Sequence, residues 1–129
     1  MAPAPLDRPE FDRWSAAADR ALAAADPVTA HQLHEWACFL AEQSAQLALK
    51  GLLHGIGAPA WGHDPTALER DASLAIGEAW PDDAADRAER LSRFYIPTRY
   101  PDAIPGGVPG DRFGDADAAA ARADAVALL

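Results

Sequence analysis

Apolar residues recur at three- and four-residue steps along most of the chain, and no useful stretch alternates apolar with polar positions, so the pattern predicts helices and no sheet. Phe11, Trp14, Ala18, Ala21 and Ala25 share one side of a first helix from about Glu10 to Ala25, which Asp26-Pro27 is expected to break. Thr29 is then the expected N-cap of the longest helix, Ala30 to Gly55. Leu33, Trp36, Leu40, Leu47 and Leu53 keep helical spacing along it, with Ala37 and Ser44 between them. At its rise per residue it would span about 40 Å, long enough for the spine of a bundle. Gly55, Gly57 and Pro59 end it.

Asp64-Pro65 is an N-cap and first-turn pair that predicts a shorter helix running to about Ala79, and Pro81-Asp82-Asp83 starts the next helix in the same way. Ala84, Ala88, Leu91 and Tyr95 mark the buried side of that next helix, with Arg87, Arg90 and Arg93 off the stripe. Prolines and glycines crowd residues 97–114 into a loop, and an alanine-rich helix, Asp115 to Leu128, closes the chain. The expected fold is all-α, an up-and-down bundle of four main helices plus a short additional one. Residues 1–9, with three prolines, read as a disordered lead, and 10–129 as one domain.

Composition sharpens this picture. Alanine supplies much of the apolar share, so the helices can approach closely, and Leu, Trp and Phe are expected to anchor the core. A net charge of -9 excludes wrapping a nucleic-acid backbone by general attraction, which needs a positive face, and leaves only a local basic patch. Every basic residue but Lys50 is an arginine. The single cysteine, Cys38, excludes an intrachain disulfide and completes no metal set, and no segment approaches the roughly 18 apolar residues of a membrane span. These features lead us to expect a soluble cytoplasmic protein without a membrane or metal.

Candidate chemistry is sparse. His31 and His34 stand three apart on a helix but lack further ligands, and read as surface histidines. His63 precedes Asp64 at a helix start, where unpaired backbone N–H groups can receive an anion; packing of its ring on Trp61 is the structural alternative. Arg99 and Tyr100 lie between Pro97 and Pro101 on a stiffened turn, so guanidinium and phenol are available to an anion and a base. Alternatively Arg99 pairs with Asp102 or caps the preceding helix. Lys50, near a helix C-terminus, also complements the helix dipole. The glycines at 106, 107 and 110 lack the Gly-Lys-Ser/Thr ending of a P-loop.

Three segments together, Gln43 to Leu53, His63-Asp64 with Leu68 four residues on, and the Tyr95 to Ala103 turn, resemble the HEPN family of small helical domains over about Trp14 to Leu128. The Arg99-Tyr100-Pro101-Asp102 turn is similar to the branch related to the C-terminal domain of sacsin. The resemblance implies a homodimer, a minimal nucleotidyltransferase as partner in toxin–antitoxin or defence pairs, and a nucleotide or RNA ligand. It implies groove positions at Lys50, His63, Arg99 and Tyr100, with Asp64 and Asp102 beside them, and no cofactor. Many HEPN proteins are metal-independent ribonucleases with Arg, four to six residues, then His. No arginine here has a histidine at that spacing, so no catalytic residue is assigned. The family's Gln-Ala-Ala-Glu-Lys run reads Gln43-Ser44-Ala45-Gln46-Leu47, without either charge. The expected function is thus a non-catalytic binding module. The alternatives are a ribonuclease with an atypical site, in which His63 approaches Arg99 in space, and a structural helical adaptor.

Overall fold

A computed structural model describes residues 6–77 and 83–129. The helices in chain order are α1 (Arg8–Ala30), α2 (His34–Gly55), α3 (Pro65–Ile76), α4 (Ala84–Ser92) and α5 (Asp115–Leu128), with short 3-10 turns at Pro101–Ala103 and Pro109–Arg112. The described residues contain no strand, as the periodicity requires. None of these helices is long and apolar enough to cross a membrane. α3 stops at Ile76, short of the expected end at Ala79, because Gly77 caps it with a left-handed φ of 81°; Pro81-Asp82, the expected next start, lies outside the described residues.

α2 is the spine: α1 packs along it most extensively, and α3, α4 and α5 also contact it. The first reversal differs from expectation. Asp26-Pro27 does not end α1, which carries Pro27 internally and runs on to Ala30. Thr29 caps nothing; its hydroxyl donates back to the Ala25 carbonyl at 2.8 Å. Continuing the helix brings Val28 onto the main core cluster, and that burial offsets the amide proton lost at Pro27. The chain turns at residues 31–33 instead, where Gln32 takes a positive φ of 62° and Leu33 N–H donates to the Val28 carbonyl at 2.8 Å. Leu33 therefore occupies the N-cap position of α2, without a side-chain cap.

Alanines make up most of the core, and Leu49, Leu53, Leu68 and Leu91 are its largest fully buried side chains, the leucine anchors expected. Ala37, Cys38, Ala41 and Ala45 of α2 meet Ala84, Ala88 and Leu91 of α4 and Ala118, Ala121 and Ala125 of α5. A smaller cluster joins Leu49 and Leu53 to Leu68 and Ala72 of α3. Leu33 and Trp36, expected on the buried stripe, remain 45% and 44% exposed. Their helix turns its small face inward, because only small side chains allow such close approach. Trp14 and Phe11 do serve as anchors, seated over glycines: a Cβ on Gly51 would lie 2.7 Å from Trp14 Cβ, and one on Gly55 3.0 Å from Phe11 Cβ.

α3 begins as predicted, with Asp64 Oδ1 accepting the Thr66 amide at 3.0 Å and Pro65 in the first turn. α4 is the shortest helix and stops before Tyr95, which belongs to the turn beyond it. Arg87 and Arg90 do not merely face solvent. Together they donate three hydrogen bonds of 2.9 Å to the carboxylate of Asp124, fastening α4 to α5.

Candidate functional site

Past the end of α4 the chain folds into tight turns. Arg99 N–H donates to Ile96 O at 3.0 Å, and the buried Thr98 hydroxyl donates to Phe94 O at 2.5 Å. This turn aims the Arg99 side chain back over its own preceding residues. Its Nε donates to the Tyr95 carbonyl at 2.9 Å, and Cζ lies 4.5 Å from the Phe39 ring centroid, 4.6 Å from that of Tyr95 and 4.9 Å from that of Tyr100. A guanidinium is drawn to ring faces by their quadrupoles and keeps its edge N–H groups for a ligand. Neither expected alternative for Arg99 occurs: the Tyr95 carbonyl lies in the turn beyond α4 rather than in the helix, and Asp102 is exposed and makes no ion pair with it among the described residues.

His63 reaches the same place from the start of α3. Its ring lies flat on Tyr95, at 5.5 Å between centroids and 7° between planes, and not on Trp61, which stands 82% exposed. Tyr95 thus touches both His63 and Arg99, bringing the two no further apart than the sum of those two ring distances. His63, Asp64, Tyr95, Ile96 and Pro97, with Ser92 and Arg93 of the α4 end, line an open depression of ≈ 630 Å³. Asp64 already serves as the α3 cap through one carboxylate oxygen.

Beneath the aromatic cluster lies Glu42, a fully buried carboxylate on α2. The Gln43 side-chain amide donates to it at 2.9 Å, and so does the amide of Gln46, whose carbonyl oxygen is 3.4 Å from His63 Nδ1. Burial pushes the Glu42 carboxyl above the usual range. The amides of Gln46 and Gln43 and the charge of Arg99 oppose that rise, and Asp64 adds to it. A carboxyl whose pKa is higher folded than unfolded favours the fold below its unfolded pKa and loses that contribution as pH rises through the folded value. Glu42→Gln should therefore compare worse with wild type at about pH 4 than at about pH 7, by a few degrees in Tm. Parallel melting profiles for the two proteins across that range would show that Glu42 is not shifted.

Of the positions named from sequence, the fold sets His63 and Arg99 against Tyr95, and Tyr100 under the Arg99 guanidinium, with Asp64 lining the depression. Lys50 is half-buried on α2, one turn beyond Gln46, and makes no hydrogen bond or ion pair among the described residues. Sequence reasoning missed Phe39, Glu42, Gln46 and Tyr95 as members of the cluster. A signal existed: Phe39, Glu42, Gln46 and Lys50 recur at three- and four-residue steps, so one aromatic and three polar residues share a side of α2. His34 also departs from expectation. It is not a surface residue: its side chain is 12% exposed, and Nε2 lies 3.2 Å from Asp115 Oδ1. No group of metal-ligating residues occurs among the described residues.

The comparisons with known proteins agree with this architecture. The chain is similar to TT1696 of Thermus thermophilus, at 35% identity and a TM-score of 0.86 over 92% of this chain and 91% of that one. It is similar to ST0689, an archaeal HEPN homologue, at 31% identity and a TM-score of 0.77 over 92% and 91%. A HEPN domain protein of Thermotoga maritima, TM0613, shows 27% identity and a TM-score of 0.70 over 90% of each chain. No curated protein matches. The HEPN domain model matches residues 11–128, nearly the whole folded chain, and the chain therefore belongs to the HEPN domain family.

Proposed function

We propose that this HEPN domain is a non-catalytic binding module for a nucleotide, a nucleotide-like anion or RNA. The observation that carries the reading is the Arg99 guanidinium held over the rings of Phe39, Tyr95 and Tyr100, where Tyr95 also stacks on His63 and lines an open depression. Such a cluster offers in-plane N–H groups to a phosphate and exposed ring surface, above all that of Tyr100, to a base. The binding positions are Lys50, His63, Asp64, Arg99, Tyr100 and Asp102. By resemblance to its branch of the family, with the Arg-Tyr-Pro-Asp turn, the module is a homodimer, and its single cysteine suits a reducing cytoplasm. Its partner is a separately encoded minimal nucleotidyltransferase, in a toxin–antitoxin or related defence pair. We read the helices from Arg8 onward as one up-and-down bundle.

A second reading has one observation in its favour. His63 and Arg99 both pack against the Tyr95 ring, so an imidazole and a guanidinium share one neighbour without the usual sequence spacing, and a substrate spanning both would suit a metal-independent ribonuclease. One set of preparations separates the two. Titration with AMP, ATP, GTP and RNA oligomers should raise the melting temperature for at least one ligand, by about 2.7 kcal/mol of stability at roughly 100 times its Kd. Incubation with total RNA should leave the RNA intact. No shift with any ligand removes the binding reading; cleavage that survives purification and disappears in His63→Ala establishes the ribonuclease.

A further inference from the structure

The polar groups behind the aromatic cluster form a chain with a direction. Each oxygen of the buried Glu42 carboxylate faces a side-chain amide, one from Gln43 and one from Gln46. Amides donate only from nitrogen and accept only at oxygen, so this arrangement belongs to an ionised carboxylate. Gln46 is itself buried and cannot turn its nitrogen elsewhere without placing its oxygen against that carboxylate. Its carbonyl oxygen must then face away from Glu42, toward His63 Nδ1 at 3.4 Å.

An acceptor at that point requires a proton on Nδ1. The flat stack on Tyr95 confines the ring to one plane, and turning it over would present a C–H edge to the Gln46 oxygen. We propose that Glu42 and Gln46 are positioning residues that hold neutral His63 in its Nδ1–H tautomer and leave Nε2 with a free lone pair at the depression. That is the reverse of the tautomer preferred by a histidine side chain in water. No hydrogen bond to Nε2 occurs among the described residues. The two ligand-facing groups consequently differ in kind: Arg99 presents donors to an anion, whereas His63 presents an acceptor, which takes a hydroxyl or an N–H and turns away a bare phosphate oxygen. What His63 meets rests on the binding reading above. The tautomer itself is a property of the free protein, so the two ideas fail separately.

The test uses nuclear magnetic resonance of the ligand-free protein with nitrogen-15 in its histidines, at about pH 8, above the ordinary imidazole pKa of about 6.5. His63→Asn identifies the resonances by their loss. In the wild type, Nδ1 should carry the proton in most molecules. In Gln46→Met, of similar length without the amide, most molecules should shift to the Nε2–H form, and Glu42→Gln, which no longer dictates the direction of Gln46, should give a mixture. A wild-type His63 found mainly as Nε2–H overturns the proposal even if neither variant folds; so does a Gln46→Met protein that keeps the proton on Nδ1.

Discussion

Arg99→Ala should cut the nucleotide-dependent rise in melting temperature by about half or more at the same ligand concentration, and Arg99→Lys should not restore it. Two losses combine in the alanine variant. The anion loses charge-assisted hydrogen bonds of about 1.5–3 kcal/mol, so the apparent Kd rises about 10- to 100-fold. The free protein also loses the contacts that Cζ makes with Phe39, Tyr95 and Tyr100 at 4.5, 4.6 and 4.9 Å. At about 0.5–1 kcal/mol for each such contact near solvent, the melting temperature should fall even without ligand. Lysine keeps the charge, but its compact ammonium neither lies flat between rings nor forks onto a phosphate. Melting curves of the three proteins, with and without the ligand that shifts the wild type, supply the measurement. If Arg99→Ala melts lower yet gains the same increment from ligand, Arg99 is only a structural bolt.

The largest effect on folding is expected from a residue outside the depression. Asp124 is buried on α5, with 7% of its side chain exposed, and receives three hydrogen bonds from Arg87 and Arg90 of α4. Asp124→Ala should lower stability by about 1–3 kcal/mol, less than for a fully enclosed ion pair because both arginines can return to water. For a domain of this size that is a fall of roughly 3–10 °C in Tm. Asp26 offers the control, since its pair with Arg122 is half exposed on both sides at 58% and 50%. Asp26→Ala should change stability by no more than about 0.5 kcal/mol. Equal losses in the two variants would show that the α4–α5 bolt is no stronger than an ordinary surface pair.

The contrast between these two aspartates marks a boundary in what the chain discloses. Each is a single acidic residue among the alanines of a helix, and helical spacing does not say which of the two is buried. Asp124 matters because α4 and α5, separated by the loop at 97–114, pack against each other and leave one carboxylate between two arginines. Tyr95 is a similar case. Helical spacing assigned it to the buried side of α4, but that helix ends at Ser92, and its ring faces His63 and Arg99 instead.

The all-helical class, the Asp64-Pro65 start of α3, the bounds of α5 and the buried stripe Ala84, Ala88 and Leu91 followed from the amino acids alone, because caps, proline geometry and helical periodicity act within a few residues. So did the choice of His63, Arg99 and Tyr100 as residues worth watching. Which faces of α2 are buried, how Pro27 is accommodated inside α1, and that Glu42 and Gln46 stand behind His63 were decided only by tertiary packing. An alanine-rich helix offers several nearly equivalent apolar faces. Its orientation is settled by contacts between segments far apart in the chain, whose free energy no local pattern contains.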